Sequence, residues 1–234
     1  MRASLIILTL NEIEGVRNVF PRIPRHCVDE ILVIDGGSTD GTIEFFEGQG
    51  LRTLVQQKRG RGEAFRMAYR EAAHEGLIFF SPDGNENPDD IPRLLAYLRE
   101  GFDMVIGSRF MPGGRNEEDD IFFAPRKWAN LMLTWIANTL WNRGEYITDT
   151  INGYRAITKE AFELIKPDAE GYAIEFQMSI RATKLGLRVK EIPTVEYDRV
   201  GSKSKLNPIP TGLKFLHLIA HELRLGRKFQ WLKT

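Results

Sequence analysis

Ile31-Leu-Val-Ile-Asp-Gly-Gly-Ser-Thr-Asp-Gly-Thr42 is the stretch that decides the fold. Its apolar, mostly β-branched opening suits a strand buried on both faces of a parallel sheet. Asp35 then stands at the strand's carboxyl end, where open α/β sheets hold their ligands. Gly36 and Gly37 allow a tight turn, and Ser38, Thr39 and Asp40 offer side-chain oxygens to cap the helix expected over Thr42–Gly48. A carboxylate so placed can accept hydrogen bonds from a base or a ribose.

Outward from this segment, strand-like and helix-like runs alternate. Ser4–Leu10 reads as a strand, and the helical stripe Val16, Val19, Phe20 and Ile23 after it ends at Pro24. Arg52–Gln56, Leu77–Ser81 and Met104–Ser108 read as further strands, with helices near Gly62–His74 and over Asp89–Glu100 between them. This βαβα order predicts the α/β class, a doubly wound and mostly parallel sheet with right-handed crossovers. Farther on, polar Gly113–Asp120 is expected to be a mobile surface loop. Arg126–Trp141 and Ile174–Leu185 read as helices and Arg188–Tyr197 as a strand. Leu206–Thr211 contains Pro208 and Pro210, which argue against regular helix, before Leu213–Leu225 returns to helical spacing.

Lys+Arg and Asp+Glu balance at 32 each over 234 residues, which points away from nucleic acid or any other polyanionic partner. The C-terminal part is different. From Arg199 to Thr234 there are eight basic residues and one acidic residue, Glu222. The lone Cys27 excludes an internal disulfide and a thiol-rich metal cluster, in keeping with a reduced cytosol. No signal-peptide pattern opens the chain, and no apolar run approaches the ~18 residues of a membrane span. A cytoplasmic location is expected.

Asp83 and Asn85, two apart after the strand Leu77–Ser81, share one face by strand periodicity. Such oxygens could hold Mg2+ or Mn2+ together with a diphosphate, the cation serving as Lewis acid and template. A plain polar turn is the alternative. Arg59-Gly-Arg-Gly62 precedes a helix and suits phosphates through its guanidinium groups and exposed N–H groups, though such segments are also solvated loops. Gly107-Ser-Arg109 places a cation at the same edge, and Asp149-Thr-Ile-Asn-Gly-Tyr-Arg155 adds a carboxylate, an amide and an arginine. Arg199-Val-Gly-Ser-Lys-Ser-Lys205 is either a phosphate clamp or a solvated charge run. The four histidines form no metal motif, and the loops that mark acyl hydrolases, P-loop NTPases and dinucleotide oxidoreductases are missing.

Together, and in this order, the segments resemble the family 2 glycosyltransferases, above all the dolichyl- and polyprenyl-phosphate mannose (or glucose) synthases. Thr9-Leu-Asn-Glu12 is similar to the Pro-x-Tyr-Asn-Glu motif of the first strand, and Asp35–Thr42 to Asp-Asp-Gly-Ser-x-Asp-Gly-Thr. Arg59–Ala64 is similar to Arg-Gly-Lys-Gly-x-Ala; Gly107–Arg109, Asn152–Arg155, Glu191–Pro193 and Arg199–Lys205 complete the series. The resemblance, which runs from about Ser4 to Lys205, implies a GT-A fold, so residues 1–205 are expected to form that domain. The charge and spacing beyond it predict a basic amphipathic helical extension over 206–234. The resemblance also implies a nucleotide-sugar donor, a divalent metal and inversion at the anomeric carbon. Thr9, Asn11, Glu12 and Asp35 would line the nucleoside pocket, with Gly37, Ser38, Arg61, Gly62 and Ser81 completing the donor site. Asp83 and Asn85 would hold the metal. Arg109, Arg155, Arg199, Ser202, Lys203 and Lys205 would meet donor or acceptor phosphates. Three departures stand out: Ser81 replaces the first carboxylate of Asp-x-Asp, Gly36 the second of Asp-Asp-Gly, and Arg61 a lysine.

The expected function is hexose transfer from a GDP-mannose or UDP-glucose type donor to a polyprenyl phosphate. Such an acceptor is already anionic and needs cations to seat it rather than a general base. A hydroxyl acceptor would instead draw on Glu175 or Asp149 as base. A nucleotide-sugar-binding protein with a decayed metal site is the alternative that Ser81 favours. The basic amphipathic C-terminal helix suits peripheral contact with an anionic membrane. The tryptophan-rich helix suits core, lipid or a homo-oligomer interface.

Overall fold

The run Ile31–Ile34 lies one strand in from an edge of the sheet, and Leu32, Val33 and Ile34 are buried. The computed structural model describes residues 1–201 and 208–231. Seven strands form one sheet: β1 (Ala3–Thr9), β2 (Glu30–Asp35), β3 (Arg52–Val55), β4 (Gly76–Phe80), β5 (Met104–Ser108), β6 (Arg155–Thr158) and β7 (Val189–Pro193). Their order is β3-β2-β1-β4-β6-β5-β7. All neighbours run parallel except β6, which is antiparallel to both β4 and β5.

Strand alternation divides the core into two layers. Leu5, Ile7 and Val33 face α1 (Ile13–Val19), α2 (Thr42–Gly48) and α4 (Ile91–Arg99), meeting Val16, Phe46 and Leu94. Ile6, Leu8, Leu32 and Ile34 face α3 (Arg61–Glu71), α6 (Lys159–Ile165) and α7 (Ala173–Leu185), meeting Phe65, Phe162 and Met178. A third, smaller cluster joins α5 (Pro125–Trp141), α7 and α8 (Pro208–Leu225) through Leu133, Phe176, Ile180, Phe215 and Leu218. The doubly wound reading is therefore correct, and the sheet reverses order between β1 and β4, where such folds leave a crevice.

Three expectations change. The pair β6 and α6 has no counterpart in the sequence reading, because Arg155–Thr158 is short and lacks an apolar run. Gly113–Asp120 is tied down rather than a plain surface loop: Asn116 and Glu118 are buried, and Arg115 N–H donates to the Thr194 carbonyl at 3.0 Å. The proline-bearing segment joins a helix, since α8 begins at Pro208. The first turn of a helix has N–H groups without intrahelical acceptors, so prolines there forfeit nothing. Of the expected phosphate clamp, Ser202, Lys203 and Lys205 lie outside the described residues.

Candidate active site

The carboxyl ends of β1, β2, β4 and β5 place Thr9, Asp35, Ser81 and Ser108 along one edge of the sheet. The antiparallel β6 begins where its neighbours end, so the turn before it, Asp149–Tyr154, reaches that edge too.

Asp35 is fully buried and organises the turn that follows it. Its Oδ1 accepts from Gly37 N–H at 2.7 Å and Ser38 N–H at 2.6 Å, and its Oδ2 from the Ser38 hydroxyl at 2.6 Å. Ser38 Oγ in turn accepts from Asn11 N–H at 2.8 Å, and Asn11 Oδ1 accepts from Thr39 N–H at 2.8 Å. Asn11 sits at φ 51°, a conformation Asn tolerates better than most residues. Glu12 N–H reaches the Thr42 hydroxyl at 3.3 Å. Thus the ends of β1 and β2 are locked to each other.

Arg59 and Arg61 bridge that turn to the loop after β4. Arg59 donates to the Gly37 carbonyl at 2.9 Å, while Arg61 approaches Ser81 Oγ at 3.5 Å and pairs with Glu175 on α7. A Cβ on Gly15, at the start of α1, would strike the Pro82 carbonyl and Asp83 Cα at 2.6 and 2.7 Å. The turn of Asp35 and the loop of Asp83 are thus linked through Arg59, Arg61 and α1. Burial opposes the Arg61 charge, but Glu175 outweighs it and holds the guanidinium above its usual range. Gly62 behaves differently from its assignment, since a Cβ there would strike the Ala169 carbonyl. It is a close-packing position between α3 and the chain before α7.

β4 ends at Phe80, and Ser81–Glu86 is a turn with Gly84 at φ 90°. The strand periodicity expected to put Asp83 and Asn85 on one face therefore does not apply; both are buried. Asp83 Oδ1 accepts from Asn85 N–H at 3.1 Å, and its Oδ2 lies 3.1 Å from Arg199 Nη1. Burial pushes the Asp83 carboxyl up against the pull of Arg199. The Asn85 amide nitrogen donates to the Tyr197 carbonyl at 2.7 Å. Glu86, which the sequence reading passed over, folds back so that Oε2 accepts from Ser81 N–H at 2.7 Å. Burial raises its carboxyl to about 8, against that hydrogen bond, and Asp83 adds repulsion.

On the other flank, Arg109 grips Asp149 with Nε at 2.7 Å and Nη2 at 3.1 Å, and reaches Glu196 with Nη1 at 3.1 Å. Burial opposes the Arg109 charge, yet these carboxylates hold it above the usual arginine range. Asp149 also accepts from the N–H groups of Arg109, Ile151 and Asn152, which engages both its oxygens. Glu196 is a second residue the sequence did not single out.

Arg155 corrects an expectation. It is fully buried, and its guanidinium donates to the carbonyls of Asn152, Glu175 and Thr150, so it shapes this turn and does not face a phosphate. Burial pulls it down to about 10.

Among the described residues, three buried side-chain atoms lack a hydrogen-bond partner: Thr9 Oγ1, Glu175 Oε2 and Arg199 Nε. All three belong to residues expected at the site. No three His, Cys, Asp or Glu side chains among the described residues form a ready metal cage. The donor set, a carboxylate and an amide oxygen, fits a hard cation shared with a diphosphate.

Residues 4–163 match the model of glycosyl transferase family 2. The undecaprenyl-phosphate mannosyltransferase of Micrococcus luteus is 34% identical, over 88% of this chain and 88% of that protein. The glycosyltransferase AglJ of Haloferax volcanii is 33% identical, over 90% of this chain and 68% of that protein. Among solved structures, glucosyl-3-phosphoglycerate synthase from Mycobacterium tuberculosis, with Mn2+, UDP and glucosyl-3-phosphoglycerate, superposes with a TM-score of 0.69 at 20% identity, over 97% of this chain and 79% of that one. The resemblance drawn from the motifs holds: the chain is a glycosyltransferase of GT-A fold and belongs to glycosyl transferase family 2.

Proposed function

We propose that the protein transfers a hexose, with inversion, from a GDP-mannose or UDP-glucose type donor to a polyprenyl phosphate at a membrane surface. Arg61 and Arg199 at the Ser81–Asn85 loop, with Arg109 on the other flank, carry this reading, and Arg199 Nε still lacks a partner beside Asp83. A run of guanidinium groups suits the phosphates of both substrates. The named activity of the Micrococcus relative supports a polyprenyl-phosphate acceptor.

Asp35, Asn11 and Ser38 would orient the nucleoside, their rigid turn holding it without reorganisation on binding. Asp83 and Asn85 would hold Mg2+ or Mn2+ against the donor diphosphate, and the cation would offset the charge of the departing nucleotide. Arg199 would then exchange its contact with Asp83 for a phosphate oxygen. The acceptor's own charge makes it the nucleophile, so no proton need be removed. That agrees with Asp149, one candidate base, whose oxygens are engaged by Arg109 and backbone N–H groups.

The test is a pairwise assay with Mg2+ present. Labelled GDP-mannose or UDP-glucose is offered with a short polyprenyl phosphate or with the matching polyprenol. Transfer to the phosphate and none to the alcohol is expected. Transfer only to hydroxyl acceptors would refute the reading.

A further inference from the structure

We propose that Glu86 supplies the second carboxylate of the cation site, taking over from the position where Ser81 carries no charge. The inference rests on the reading of this cleft as a nucleotide-sugar site. The sequence places a hydroxyl at 81, leaving Asp83 as the single carboxylate of that pattern. The fold returns another. Gly84, at φ 90°, reverses the chain between Asp83 and Asn85, and Glu86 comes back beside the first residue of the loop.

Its Oε2 lies 2.7 Å from the backbone nitrogen of Ser81. A residue's nitrogen and its Cβ are separated by only about 2.5 Å in standard geometry. The Glu86 carboxylate thus lies within a few ångströms of the place a carboxylate on residue 81 would fill. Arg61, at 3.5 Å from Ser81 Oγ, marks the same place as one suited to negative charge. Two carboxylates from positions 83 and 86, with the Asn85 oxygen, give a hard-oxygen set of the usual composition for Mg2+ or Mn2+.

A plain loop-closing role for Glu86 makes a different forecast. Glu86→Gln keeps an oxygen to accept from Ser81 N–H and removes the carboxyl that a bound cation would hold ionised. Mn2+ is titrated into the full-length protein with saturating GDP or UDP, and free Mn2+ is read by its electron paramagnetic resonance signal. The variant is expected to weaken Mn2+ binding by about 10–100-fold, the range seen when groups supporting a metal are altered. Ser81→Asp added to Glu86→Gln is expected to restore it. Unchanged Mn2+ affinity in Glu86→Gln overturns the assignment. So does a loss that Ser81→Asp fails to rescue, because it signals a collapsed loop. Failure of the nucleotide-sugar reading looks different: the unaltered protein then takes up no Mn2+ with either nucleotide, which overturns both proposals together.

Discussion

Gly153 owes its identity to Arg61, whose guanidinium lies where a Cβ would stand, with Glu175 Oε1 3.0 Å from the same point. Gly153→Ala must displace the guanidinium from Glu175 and from the Ser81 loop. Misplacement of a positioning group by about 1 Å costs on the order of 100-fold in rate. We expect kcat/KM for sugar transfer to fall by about that factor, with circular dichroism unchanged; activity within twofold (roughly the scatter of such assays) would show that Arg61 does not position substrate. That Asp35, Asp83 and Arg109 stand at or just after strand ends was legible in the sequence, because each follows an apolar run closely. Glu86 and Glu196 were not. They sit in irregular segments, where no periodicity states which way a side chain turns. Arg155 misled for the opposite reason: a motif lists residue types but not whether a guanidinium points outward or caps carbonyls within.

At the scale of elements, α8 is fastened by charge as well as by Phe215 and Leu218. Glu222 is fully buried and accepts from Arg181 Nε at 2.9 Å and from Lys184 Nζ at 2.6 Å, both on α7. Gln177 joins at 3.0 Å, and Asp168 shares Arg181 at 2.6 Å. Removing one member of such a network strands the others without water. Glu222→Ala should lower the unfolding free energy by about 3–5 kcal/mol, measured by urea denaturation. A change below about 1 kcal/mol, as for exposed pairs, would mean that α8 is not seated in this way. The amphipathic spacing of Leu213–Leu225 announced the helix. Nothing in it announced that the sole acid of the basic C-terminal stretch would turn inward, because burial of a charge depends on partners distant in the chain. β6 escaped for a related reason, its pairing being set by β4 and β5 rather than by its own four residues.

For the whole molecule, the apolar surface is concentrated. Phe122 and Phe123 before α5, and Trp128, Met132 and Trp135 along it, are all more than half exposed, as are Leu213, Leu216 and Leu223 on α8. Lys214, Arg224, Arg227 and Lys228 are exposed on or just after α8. Among the described residues no helix is long and apolar enough to cross a membrane. Aromatic and basic side chains together favour the interface of an anionic bilayer. Vesicles rich in phosphatidylglycerol should shift the tryptophan emission to shorter wavelength and carry the protein in flotation. Trp128→Ser with Trp135→Ser should abolish most of both effects, and vesicles that leave wild-type emission and sedimentation unchanged would remove the membrane from the account. The reversed strand β6 has one more consequence. Because β6 runs against β4 and β5, the chain must travel from Ser108 through α5 before it returns at the carboxyl edge. Asp149 and its neighbours therefore meet Arg109 only once that long excursion has closed, and contacts across it should be among the last to form when the chain folds.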